Sequence, residues 1–397
     1  MFQFKHKKYI LLISTILLLN SCQSGSSNKD GSNTTRTETI NSKIDVFMND
    51  IVNKRRVPGI AFAVAKENEV LYSKAFGISS VDTQKKVTTE TLFHIGSTHK
   101  AITSLLIAVL VDEGVLTWDT KAQDIYEGFT LSNATYASEI TIRQLLDMSA
   151  GFPENFDNPP SKARELLEEL TDIPLNPPKS QYEYSNVSVS IAGYLAVLAQ
   201  AKFDKGSIAE TDLENLHGGY EALLKKKVLL PIGMTSSYLY VDEARATHRM
   251  SDSHYLEKGK FIVSESEDKR VDIFAPAGGL KSTATDMIKY IMVEALQGVT
   301  AEGKRIVSEK NMIERQTLSK GISAEEEYGL CLEVKMLSNG MKYIGIVGSF
   351  DDFNSAIGFF PTQKISFILL TNAGSKDIER LTEDEIESQM AQWVNQF

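Results

Sequence analysis

Between Ala101 and Val111 the chain is apolar almost without a break, and it stops at Asp112-Glu113-Gly114. A helix with one apolar stripe can lie on a surface, whereas one that is apolar on every face belongs in a core. The fold must therefore wrap this segment, and 397 residues suffice for a large core in one big domain or two. The approach to the helix is constrained too. Thr91 to Ile95 reads as extended, and Ser97-Thr98-His99-Lys100 stands at the junction. A serine three residues before a lysine puts both side chains on one helical face. In that geometry the amine can act as the base that activates the hydroxyl.

The spacing alone is weak, because Ser26-x-x-Lys29 and Ser266-x-x-Lys269 repeat it in polar segments. Only the copy at Ser97 opens a helix that reads as buried. An ammonium near the start of such a helix is costly to keep charged, so the Lys100 pKa should fall and leave a neutral amine to accept the Ser97 proton. The alternative is a serine cap beside a solvent-facing lysine. His99 points to a different helical face and is expected to be a packing or surface residue.

Tyr184-Ser185-Asn186 is the one Tyr-x-Asn in the chain and follows Asn176-Pro177-Pro178 at a loop-to-helix junction. A phenol beside a Ser-Lys pair can relay or hold a proton. An asparagine amide can hydrogen-bond the lysine or a substrate carbonyl. Gly345-Ile346-Val347-Gly348-Ser349 ends a strand-like run. Gly348 permits close approach to the strand edge. The Ser349 N–H can then pair with that of Ser97 as an oxyanion hole.

Ser97-x-x-Lys100, Tyr184-Ser185-Asn186 and the strand ending in Gly348-Ser349 together resemble the three motifs of the serine β-lactamase and penicillin-binding protein superfamily. The likeness is to its class C β-lactamase, D-Ala-D-Ala carboxypeptidase and esterase branch. Val57-Pro58-Gly59-Ile60, Leu145 to Gly151, Leu230 to Met234 and Pro276 to Leu280 resemble it as well, in the same order, over about residues 42–397. The resemblance implies an α/β sandwich with an all-α lobe, and a covalent acyl-enzyme on Ser97. Lys100 and Tyr184 would share the general-base work, with Asn186, Gly348 and Ser349 at the substrate and oxyanion positions. One departure stands out. The third motif of the family usually begins with Lys or His, which helps to hold a substrate carboxylate, and here that residue is Ile346. Isoleucine offers neither charge nor hydrogen bond. Some esterases of the branch also carry an apolar residue there.

The ends of the chain have a different character. Lys5, Lys7 and Lys8 precede an apolar run from Tyr9 to Leu19 and then Asn20-Ser21-Cys22. A basic start, a short apolar stretch and small residues describe a secretory signal. A run of eleven residues is too short to span a bilayer as a helix. Leu19-Asn20-Ser21-Cys22 resembles the bacterial lipobox, which implies lipidation at Cys22; the alternative is an ordinary cleaved signal. Loss of residues 1–21 removes three lysines and no acid, taking the net charge from -10 to -13. The acidic balance argues against a nucleic-acid partner. With Cys331 the only other cysteine, there is no disulfide framework. The six histidines are scattered and no His-Glu-x-x-His occurs, so neither metal nor cofactor is expected. Nor is there a Gly-x-Ser-x-Gly elbow.

These readings give an organisation. Residues 1–21 are a signal peptide and 22–39 a Ser, Asn, Thr and Gly rich tether. Residues 40–397 form the folded domain. Its α/β lobe covers about 40–100 and 275–397, its helical lobe about 101–274. Cys331 falls in a strand-like run, Leu330 to Val334, and residues 242–272 are polar and hard to assign. The fold class is α+β: helix, strand pair, helical block, strand triplet, helix, with the strands of both ends joined in one antiparallel sheet. The expected function is a lipid-anchored serine hydrolase of the cell envelope, facing the periplasm or the exterior. It would act on esters, or on amides such as cell-wall peptides. A non-catalytic scaffold and a β-lactamase are the alternatives.

Overall fold

The computed structural model describes residues 29–54, 57–155, 160, 162–168, 170, 175–264, 273–319, 328–374 and 376–397. The signal segment 1–21, the lipidation residue Cys22 and the first residues of the tether lie outside the described residues.

Helix α1 (Lys29–Asn53) leads into strands β1 (Gly59–Lys66) and β2 (Glu69–Gly77). The turn between them is Glu67-Asn68, with Glu67 in the left-handed region. β3 (Phe93–His94) and a 3₁₀ turn (Gly96–Thr98) deliver the chain to the buried helix α2 (His99–Asp112). A block of helices follows, including α3 (Asn186–Lys205). Next come the hairpin β4 (His254–Glu257) and β5 (Lys260–Val263), then β6 (Lys281–Ser282) and helix α4 (Ala284–Ala295). The chain closes with β7 (Glu333–Met336), β8 (Lys342–Phe350), β9 (Phe353–Phe360), β10 (Ile365–Thr371), β11 (Ala373–Gly374) and helix α5 (Ile386–Trp393).

Six strands form one sheet in the order β2-β1-β10-β9-β8-β7. Every pairing in it is antiparallel, and the two ends of the chain meet where Ile60 of β1 lies opposite Thr371 of β10. Side chains alternate across a strand, and here both faces are covered. Ile60, Phe62 and Val64 pack with Ile44 and Met48 of α1 and with Met390 and Trp393 of α5. Ala61, Ala63 and Ala65 face the core that holds α2, α3 and α4. Small residues on that face let α4 approach the sheet. The fold is therefore the expected α+β arrangement, with the terminal helices on one face and the helical lobe against the other.

Three local expectations change. The helix at the N-terminus starts at Lys29, so residues 29–39, whose polar composition suggests a flexible segment, are helical. Extending a helix already nucleated by the packed Ile40, Ile44 and Met48 costs far less than starting one, and this outweighs poor local propensity. Within 242–272, His254–Val263 forms a hairpin that adds to β11 as a three-stranded sheet; its pairing is long-range, so composition could not reveal it. Cys331 is not in a strand. It sits in a left-handed bend (φ 61°) two residues before β7.

Candidate active site

The site assembles where α2, α3 and β8 converge. Gly96 has φ +50°, a left-handed conformation that suits glycine. This turns the chain from β3 into α2 and leaves Ser97 half-buried at the helix entrance, with Lys100 one turn on and fully buried. The Thr98 hydroxyl donates to the Ile95 carbonyl at 2.8 Å and holds the turn from inside. On the second wall, Ser185 caps α3: its side-chain oxygen accepts from the Ser188 N–H at 3.0 Å. Tyr184 is thereby left just outside the helix and Asn186 at its first position, both aimed at the same point.

That point is the Ser97 hydroxyl with the Lys100 amine beside it. Nζ lies 2.8 Å from Ser97 Oγ, 2.6 Å from Asn186 Oδ1 and 2.9 Å from the Ala277 carbonyl. The Tyr184 hydroxyl donates to Ser97 Oγ at 2.6 Å. Lys100 Nζ also stands 4.9 Å from the centre of the Tyr184 ring. Burial lowers the Lys100 pKa to about 7, against small opposing effects from Cys331 and Glu154. A neutral amine has two donors and one lone pair. Asn186 and Ala277 take the donors, and the lone pair is left for the Ser97 proton. Burial also pushes the Tyr184 hydroxyl up, so it stays protonated and donating at neutral pH.

β8 forms the third wall. A Cβ added to Gly348 would overlap the Ile95 carbonyl and lie 2.7 Å from both Thr98 N and Ser355 Oγ. A Cβ on Gly96 would fall 2.7–2.8 Å from the Ser349 backbone. The strand and the Ser97 turn are thus in backbone contact, which only glycine at both positions allows. Ser349 itself is exposed. Ile346 is buried and belongs to the core on the helical side of the sheet, opposite Ile357 of β9.

All six non-lipid candidate residues (Ser97, Lys100, Tyr184, Asn186, Gly348 and Ser349) meet here. His99 is fully buried and its Nε2 lies 3.1 Å from the Tyr220 hydroxyl. Burial, with Lys100 alongside, pushes it down to about 3, so it packs as a neutral ring. The Cys331 thiol is enclosed near Lys100, faces the Leu146 carbonyl at 3.3 Å, and is pushed up to about 12 by burial. Asp351-Asp352 is the β8–β9 turn, and Asp352 accepts from Ser264 rather than standing free. Two contributors escaped the sequence reading. The Ala277 carbonyl is backbone, although its Pro276-Ala277-Gly278-Gly279 turn was visible as a motif. Asn155, whose Oδ1 accepts from Asn186 Nδ2 at 2.9 Å, carries no local signal at all.

A buried amine between a hydroxyl and an asparagine, with a phenol on the same oxygen, on a sheet packed against a helical lobe, defines a serine β-lactamase-like fold with a Ser-Lys-Tyr site. The beta-lactamase family model matches residues 40–389, and the chain belongs to that family. It is 26% identical over 239 residues to the unguisins hydrolase ungD' of Aspergillus campestris, a match covering 56% of this chain and 41% of that protein. It is 26% identical over 265 residues to penicillin-binding protein 4 of Amycolatopsis lactamdurans, covering 64% of each. This chain thus spans less than two thirds of the length of either relative. Among solved structures, the octameric penicillin-binding protein homologue from Pyrococcus abyssi superposes with a TM-score of 0.71 at 24% identity, covering 88% of this chain and 77% of that one. Among the described residues no helix is long and apolar enough to cross a membrane.

Proposed function

We propose that this protein is a serine hydrolase that forms an acyl-enzyme on Ser97 and acts on esters, or on amides such as cell-wall peptides. The carrying observation is the contact chain Asn186–Lys100–Ser97–Tyr184, in which one buried amine and one phenol meet on the same serine hydroxyl. Ser97 Oγ attacks the substrate carbonyl while its proton passes to the neutral Lys100 amine. The oxyanion that develops is held by the backbone N–H groups of Ser97 and Ser349. Collapse breaks the ester or amide bond, and the leaving group departs with a proton delivered from Lys100 through Tyr184. Water then attacks the acyl group, giving its proton back to the same pair and releasing Ser97.

Ile346 favours substrates without a carboxylate at this position, because its buried apolar side chain cannot pair with one. Esters and neutral amides therefore rank above β-lactams. Ile346 is also compatible with a non-catalytic scaffold, but the intact contact set at Ser97 favours catalysis. In the same proposal, Cys22 carries a lipid that holds the enzyme at the cell envelope, its partners being that membrane and a small-molecule or peptidoglycan-type substrate.

The test uses the domain lacking residues 1–22, a fluorophosphonate probe and a fluorescent penicillin, each with wild type and Ser97→Ala. Phosphonate labelling lost in Ser97→Ala supports an esterase. Labelling by both reagents supports a penicillin-binding enzyme. Labelling by neither overturns the hydrolase in favour of a binding protein. Metabolic labelling with a palmitate analogue, lost in Cys22→Ala, tests the anchor.

A further inference from the structure

The ring of His94 does two things that nothing in the reaction scheme requires of it. Its Nδ1 accepts the Gly96 N–H at 3.3 Å. Its face stacks on Phe350, centroids 3.9 Å apart and planes inclined by 22°. Gly96 is the residue before Ser97, and Phe350 is the residue after Ser349. One side chain therefore touches both segments whose backbone amides flank the reacting oxygen. Gly96 is also wedged between the Ser349 backbone and Gly278, so a small rotation of its peptide would move the Ser97 amide relative to Ser349.

Hydrogen bonding sets the tautomer. A backbone N–H occupies Nδ1, so Nδ1 is the bare acceptor and the proton of the neutral ring is on Nε2. Nε2 is buried and has no hydrogen-bond partner. An unpaired buried donor is costly. An apolar ring would avoid that cost and keep the stack, so the stack alone does not explain a histidine. What the imidazole adds is the acceptor for Gly96. Burial, with Lys281 directly opposite on β6 and His99 nearby, holds the ring well below the usual histidine range and hence neutral. Lys281 is engaged elsewhere, donating to the Leu239 and Gly279 carbonyls at 2.8 and 2.9 Å.

We infer that His94 is a positioning residue that fixes the Ser97 amide against Ser349 by holding the Gly96 N–H on its Nδ1, the acceptor rather than the stack on Phe350 carrying the effect. The role rests on the hydrolase reading above. It acts through backbone geometry and touches no substrate.

Two substitutions separate the acceptor from the stack. His94→Phe keeps the ring and removes the acceptor; His94→Asn loses the ring and places Oδ1 where Nδ1 was. With a p-nitrophenyl ester, His94→Phe should melt at or above the wild-type temperature yet lose roughly tenfold or more in kcat, with KM little changed. His94→Asn should keep kcat within about threefold. Side-chain nitrogen NMR of the wild-type protein should show a bare Nδ1 and a protonated Nε2 from about pH 5 to 9. Full kcat in His94→Phe, equal losses in the two variants, or a proton on Nδ1 would each overturn the role. If the wild-type protein neither turns over nor labels with phosphonate, the hydrolase reading fails and takes the kinetic role with it. The NMR result still decides the hydrogen bond.

Discussion

Lys100→Met keeps most of the apolar stem of the side chain and deletes the amine. In the wild-type protein that amine is fully buried, and burial lowers it from 10.5 to about 7. One pKa unit is about 1.4 kcal/mol of difference between protonation states, so enclosing the ammonium costs on the order of 5 kcal/mol. Above its ordinary value of 10.5, folded and unfolded chains both carry the neutral amine and the cost vanishes. Between 10.5 and about 7 the unfolded chain binds a proton that the folded one does not, so stability falls as pH falls. Below about 7 both states are protonated and the full cost remains. Urea unfolding of both proteins at about pH 7, 8, 9 and 10 reads this out, since groups common to both cancel in the difference. Wild type should gain on Lys100→Met by about 1.4 kcal/mol per pH unit across that range. The same ionisation should appear in catalysis: wild-type kcat/KM rises through about pH 7, and the variant is inactive. A stability difference that is flat with pH would mean that the amine is charged throughout, and would refute its role as the base.

Gly348→Ala should destabilise by about 1–3 kcal/mol and cut kcat about a hundredfold, because the added methyl overlaps Ile95 and must push β8 away from Ser97; thermal melts and ester kinetics check this. Arg315→Met should cost about 3–5 kcal/mol in denaturant unfolding. It strands the fully buried Glu294, which Arg315 meets at 2.8 Å, and frees α2 from the Arg315 bonds to Ser104 and Ala101. Adding Glu294→Leu should recover much of that loss. Ile346→His should raise labelling by fluorescent penicillin relative to phosphonate, and an unchanged ratio would remove Ile346 as the reason for discounting β-lactams.

What the sequence made legible was local or periodic. Ser97 and Lys100 are one helical turn apart, so their contact follows from the backbone alone. The five strands from Ile60 to Phe76 and from Lys342 to Thr371 announced themselves by apolar runs between short turns. Tyr184 and Asn186 needed the family pattern, since their approach to Lys100 depends on how α3 crosses α2. The rest was set at long range. Ala277 offers a main-chain oxygen that no side-chain pattern encodes. Asn155 and the hairpin His254–Val263 acquire meaning only through partners about 30 and 120 residues away. The start of α1 at Lys29 was hidden because propagation from a packed helix overrides the preference of Ser, Thr and Asn for turns.

The central claim is a covalent intermediate on one named oxygen. Intact-mass spectrometry after rapid quench with a slowly hydrolysed p-nitrophenyl ester tests it, followed by peptide mapping. The prediction is a single acyl adduct on Ser97 in the wild-type domain that decays with turnover and is absent from Ser97→Ala. An adduct that persists in Ser97→Ala, or ester turnover with the adduct on another residue, would contradict it.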